Sequence, residues 1–101
     1  TACRRQRQMC IRDRDCVMTD KWISMNDKVN KKVKKKILKP YQVNKKLMSA
    51  AKSDAIFMHC LPVGRGEEVT DDVIDGKQSV VWRQALNRVH TQKSIIKWCL
   101  D

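Results

Sequence analysis

Apolar residues fall along this chain in two patterns, as short unbroken runs and as single positions recurring every three or four residues. Cys16-Val17-Met18-Thr19 is a run of strand length that ends on Asp20, which predicts a buried parallel strand. Trp22 to Asp27 reads as the loop leaving its carboxyl end. Val29, Val33, Ile37 and Leu38 then recur at roughly helical spacing within a lysine block. That pattern predicts a solvated surface segment with one modest apolar stripe.

Pro40-Tyr41 stops this segment, and Asn44 stands where its side chain can cap a second helix through Leu47, Met48 and Ala51, ended by Ser53-Asp54. Ala55-Ile56-Phe57-Met58-His59-Cys60-Leu61-Pro62 begins apolar and turns abruptly chemical, as expected of a central parallel strand buried on both faces. Pro62 forbids further ladder pairing. Gly64 to Glu68 reads as a loop in which Glu67 and Glu68 are solvated charges. Thr70, Asp71 and Asp72 suit the start of a short helix ending at Asp75-Gly76.

Ser79-Val80-Val81-Trp82 predicts a third strand, and Ala85, Leu86, Val89, Ile96, Cys99 and Leu100 mark a long amphipathic helix. Strands alternating with helices imply an α/β fold with a parallel sheet and right-handed crossovers. Three strands and one long helix with an unmatched apolar face predict part of a doubly wound domain.

Composition sharpens this picture. With 101 residues, 42% of them hydrophobic, the chain is one small domain or a piece of a larger one and too apolar for wholesale disorder. Its apolar runs fall far short of the roughly 18 residues that cross a bilayer. No secretory pattern of charged start, apolar stretch and small-residue cleavage site is present, so a cytoplasmic protein with no membrane partner is expected.

The net charge of +11 would suit a nucleic-acid binder, but its distribution argues otherwise. Residues 1–14 hold five Arg and one Asp, residues 28–39 hold seven Lys and no acid, and the remainder is balanced. Neither a spread basic stripe nor aromatic stacking platforms accompany these two blocks, so no nucleic-acid partner is expected. A small basic binding module driven by residues 1–39 is the alternative outside enzymes. The five cysteines, at positions 3, 10, 16, 60 and 99, lack the paired spacing of a structural zinc site, and their odd number argues against a disulfide scaffold. No metal is expected.

Residues 1–14 show no periodicity and differ in composition from residues 15–101. Their MCIRD core resembles the peptide produced when sequencing-adaptor reads are translated. An unstructured, non-native leader is therefore expected over 1–14.

In open parallel sheets, ligands bind beyond the carboxyl ends of the strands. There Asp20 with the Ser24-Met25 loop follows the first strand, and His59-Cys60-Leu61-Pro62 follows the second. A carboxylate, a hydroxyl, an imidazole and a thiol are thus candidate neighbours in one cleft. Singly, each has a plainer reading as a helix cap or a small buried group.

Thr19-Asp20-Lys21-Trp22-Ile23-Ser24-Met25, Pro40-Tyr41-Gln42-Val43-Asn44, Phe57-Met58-His59-Cys60-Leu61-Pro62 and Arg65-Gly66-Glu67-Glu68-Val69 closely resemble ornithine carbamoyltransferases in order and spacing, and so does the tail through Asn87-Arg88. The resemblance covers residues 15–101. It implies transfer of a carbamoyl group from carbamoyl phosphate to the side-chain amine of L-ornithine, giving citrulline and phosphate, with no cofactor and with a homotrimeric assembly. It also implies that Asp20, Ser24 and Met25 hold ornithine, that Asp20 and Cys60 serve catalysis, and that Cys60, Leu61 and Arg88 meet carbamoyl phosphate.

Two departures stand out: Asn26 where the family usually has Gly, and Arg83, Gln84 and Leu86 where acidic residues are usual before Asn87-Arg88. The family's Ser-Thr-Arg-Thr-Arg and His-Pro-x-Gln motifs do not occur in these 101 residues. By this resemblance, residues 15–82 form part of the ornithine-binding domain, and the helix over 83–101 packs on a carbamoyl-phosphate domain that the 101 residues do not include. The chain alone is expected to be inactive. Another carbamoyltransferase, acting on putrescine or a modified ornithine, is the alternative within enzymes.

Overall fold

The computed structural model describes residues 10–28 and 30–101. Most of the expected leader, and Val29, lie outside the described residues. Residues 10–14 form a turn, in which the Arg14 amide donates to Ile11 O at 3.2 Å, and the Arg14 carbonyl accepts from the Lys52 amide.

Two strands, β1 (Cys16–Thr19) and β2 (Ile56–His59), pair in parallel. Their register sets Cys16 beside Ile56 and Thr19 beside His59, so both strands end level. Between them run α1 (Lys31–Leu38), a 3-10 turn (Lys39–Tyr41) and α2 (Lys45–Met48). The caps are local and polar: the Asn30 side chain accepts from the Lys32 amide, and the Asn44 side chain accepts from the Leu47 amide at 3.0 Å. Each occupies an amide that the first helical turn leaves without an intrahelical partner. α2 is shorter than its apolar spacing predicts, because the chain beyond Met48 continues as turns toward β2.

After β2 come α3 (Asp71–Ile74) and the long α4 (Val81–Leu100). The expected third strand over Ser79–Trp82 is replaced by a single bridge. The Phe57 amide donates to Gln78 O, the Val80 amide donates to Phe57 O, and Val81 already begins α4. The apolar run has a different cause: Val81 is fully buried in the core from the first turn of a helix.

That core joins Val43, Met48, Phe57, Val69, Val73, Ile74 and Val81 on one face of the sheet. Burial alternates along β2, with Phe57 and His59 inward and Ile56 38% exposed. Met18 on β1 is exposed as well. The apolar runs predict two buried strands, β2 on both faces; among the described residues the helices cover only one face. The molecule is therefore α/β with a small parallel sheet and a long terminal helix, one side of a doubly wound layer arrangement. None of the described helices is long and apolar enough to cross a membrane.

Candidate active site

Because β1 and β2 end level, the residues just beyond Thr19 and His59 emerge side by side. The Cys60 thiol donates to Asp20 Oδ1 at 2.9 Å, and the same oxygen accepts the Lys21 amide at 2.6 Å. These two donors hold the Asp20 carboxyl below the usual carboxylate range, the thiol contributing most. Conversely the Asp20 hydrogen bond, then burial and the negative charge, push the Cys60 thiol up, while the Arg88 guanidinium opposes the rise. At neutral pH the pair is a carboxylate holding a protonated thiol.

A cleft of about 450 Å³ opens beside this pair, lined by His59, Cys60, Gln84, Asn87, Arg88 and Thr91 among others. Gln84 accepts the His59 amide through Oε1 at 3.0 Å, tying the first turn of α4 to the end of β2. Arg88 lies four residues on, one helical turn along the same face. The register of α4 thus sets a fixed cation at the thiol's cleft.

The imidazole of His59 is buried, the whole residue being 1% exposed. Its Nδ1 accepts the Leu61 amide at 2.9 Å, so the ring proton sits on Nε2 and is donated to Glu68 Oε1 at 3.1 Å. Glu68 Oε1 also accepts the Gly64 amide. Leu61 itself has φ 55, a left-handed conformation that costs a residue with a Cβ about 1–2 kcal/mol. The hydrogen bond to His59 holds the Leu61 amide in that shape.

Glu68, expected to be a solvated loop charge, is fully buried. The loop between Gly64 and Val69 folds back so that Glu68 reaches under the end of β2, whereas its neighbour Glu67 faces outward and pairs with Lys35 at 2.5 Å. Alternating orientation of two adjacent glutamates separates their roles. The closely spaced Gly64 and Gly66 are the one sequence signal of a loop returning on itself.

Asp20, Cys60, Leu61 and Arg88 therefore converge at the strand ends. Ser24 and Met25 follow on the β1 loop, which is anchored by buried Trp22 and Ile23 and turned by the Asp27 amide donating to Ser24 O at 3.1 Å. Met25 is 99% exposed, so the loop stands out from the cleft rather than over it. Asn26 takes no positive φ, and the turn forms without the glycine usual there. Among the described residues no cluster of His, Cys, Asp and Glu has metal-binding geometry.

A profile of the family described as "Aspartate/ornithine carbamoyltransferase, Asp/Orn binding domain" matches residues 2–99. The ornithine carbamoyltransferase of Bradyrhizobium diazoefficiens is 61% identical over 94 residues, which are 93% of this chain and 30% of that protein. The namesake from Rhodopseudomonas palustris is 63% identical over 90 residues, 89% of this chain and 29% of its own length. Among solved structures, ornithine carbamoyltransferase from Pyrococcus furiosus superposes with a TM-score of 0.81 at 51% identity, over 89% of this chain and 29% of that one. The chain spans less than a third of the length of the relatives it matches.

Proposed function

The chain belongs to the aspartate/ornithine carbamoyltransferase family, and on that premise we propose that it supplies the amino-acid-binding part of an ornithine carbamoyltransferase. In this reading the side-chain amine of L-ornithine attacks the carbamoyl carbon of carbamoyl phosphate. A C–N bond forms, the bond from carbon to the phosphate oxygen breaks, the ammonium nitrogen gives up two of its three protons, one before and one after attack, to the departing phosphate and to solvent, and citrulline and phosphate leave.

The observation that carries the reading is the Asp20–Cys60 contact at a cleft that also holds Arg88. An alkylammonium, with a reference pKa near 10.4 like that of lysine, must lose a proton before it can attack. The Asp20 carboxylate draws the ammonium to the strand ends. The Cys60 thiol, kept protonated by its hydrogen bond to Asp20, holds the carboxylate oxygen at the strand ends, so the ammonium's proton passes to Asp20, to the phosphate oxygens or to solvent rather than to the thiol. The Arg88 guanidinium offers forked donors to the carbamoyl or phosphate oxygens, and Leu61 borders the same point. Ser24 and Met25 would close over the amino-acid end once ornithine is bound.

Residues 15–82 act as the ornithine-binding part, and α4, which begins at Val81 and carries all but the last residue of 83–101, packs its apolar face on the carbamoyl-phosphate half. The complete enzyme is a cytoplasmic homotrimer in this reading. Catalysis needs that other half, so activity belongs to the complete enzyme rather than to these 101 residues.

The experiment compares substrates for the complete enzyme carrying this chain. Citrulline formed from ornithine and carbamoyl phosphate, well ahead of carbamoylated putrescine, supports the reading; preference for putrescine or a modified ornithine overturns the choice of substrate, and no carbamoyl transfer overturns the reaction.

A further inference from the structure

Gln42 is a buried polar side chain set against the backbone of the Gly64–Glu68 loop. Its Nε2 donates to two successive carbonyls, Gly66 O at 2.8 Å and Glu67 O at 2.7 Å. A carboxamide nitrogen has two hydrogens, and both are committed here. Its Oε1 accepts from Lys39 Nζ at 3.2 Å. The next residue continues the same attachment, since the Val43 amide donates to Glu68 O at 2.9 Å and the Thr70 amide donates back to Val43 O at 3.0 Å. Gly66, at φ 75, supplies the left-handed turn that brings the loop to Gln42.

Beyond this attachment the contacts run without a gap. Glu68 holds Nε2 of His59 and the Gly64 amide, and His59 holds the Leu61 amide, on either side of Cys60. We propose that Gln42 is a positioning residue for the Cys60–Leu61 segment: its two donors fix the backbone from which Glu68 orients His59 and, through it, the reacting edge of the cleft. This rests on the carbamoyltransferase reading. Other side chains cannot substitute. Leucine has no donors, glutamate would set an oxygen against two carbonyl oxygens, and asparagine is one methylene too short to reach both.

The test uses the complete enzyme with Gln42→Leu, the milder Gln42→Asn, and Val73→Ala, a core substitution that lowers the melting temperature without removing any of these hydrogen bonds. The expected result is a fall in kcat of about tenfold or more for Gln42→Leu, since small misplacement of reacting groups is costly, and a smaller fall for Gln42→Asn. Val73→Ala should keep its kcat. Equal kcat in wild type and both Gln42 variants, or a loss matched by Val73→Ala, overturns the proposal. An inactive wild type would instead overturn the reaction, and the proposal is then read from Cys60 alkylation by iodoacetamide in the same complete protein. A changed rate in Gln42→Asn supports it, and an unchanged rate overturns it.

Discussion

Cys60 donates its thiol hydrogen to Asp20 across 2.9 Å from the end of one strand to the end of its neighbour, forty positions apart in the chain. The contact needs only the parallel register that sets Thr19 beside His59. Each strand then delivers its next residue to the same edge.

This pairing predicts the reactivity of the thiol. Asp20 raises the pH at which the thiol ionises and Arg88 lowers it, so Asp20→Asn should shift the pH profile of Cys60 alkylation downward and Arg88→Gln should shift it upward. Mass spectrometry of the Cys60 peptide separates it from exposed Cys10, Cys16 and Cys99. Superimposable profiles for wild type and Asp20→Asn would show that the carboxylate does not act on the thiol.

Glu68→Leu should destabilise the fold and disturb the strand end together. It removes the acceptor of two donors, His59 Nε2 and the Gly64 amide. A buried donor left without a partner costs about 1–3 kcal/mol. Glu68→Gln keeps an acceptor oxygen and should lose less. Denaturant unfolding of the two variants checks the order, and equal losses would contradict the hydrogen-bond account.

Much of this site is legible in the sequence, and the parts that are not share a common cause. Asp20 and Cys60 are legible because the apolar runs fix where the strands end, whereas Arg88 is legible only through the family resemblance. The Asn44 cap is legible because its partner lies three residues away. The burial of Glu68 depends on where a glycine-containing loop returns, which no period encodes. Val81 reads as strand in the sequence because a buried first helical turn and a buried strand share one apolar pattern. The open face at Met18 and Ile56 has the same origin: the runs are apolar enough for two covering layers, and one is present among the described residues.

Arg65 bridges Asp71 and Asp75, meeting Asp75 through both nitrogens at 2.6 and 3.0 Å. Asp75 is held below the ordinary carboxylate range by that hydrogen bond. Its folded pKa is depressed, so its contribution is present above the unfolded value near 3.9 and is lost as pH falls through the folded value. Asp75→Asn should therefore lower the melting temperature at pH 7, and the difference from wild type should vanish in acid. A difference that persists at low pH would assign the effect to something other than the ion pair.

Along α4, Trp82, Leu86, Val89, Ile96 and Leu100 recur on one face and are all exposed. An exposed apolar stripe of this kind, interrupted on its face only by Lys93, favours association. The 101-residue chain should sediment with a concentration-dependent mass, and Leu86→Glu with Val89→Glu and Ile96→Glu should return it to a monomer. A monomeric wild type at all concentrations would contradict this.

The central claim is that Asp20 and Cys60 act as one unit on the amine of ornithine, and a double-mutant cycle on the complete enzyme tests it most directly. Steady-state kcat/KM for ornithine is measured for wild type, Asp20→Asn, Cys60→Ala and the double variant. The predicted result is a marked loss in each single variant and a double variant little worse than the poorer single, because residues acting together are not additive. Losses that multiply independently, or a Cys60→Ala enzyme with unchanged kinetics, would contradict it.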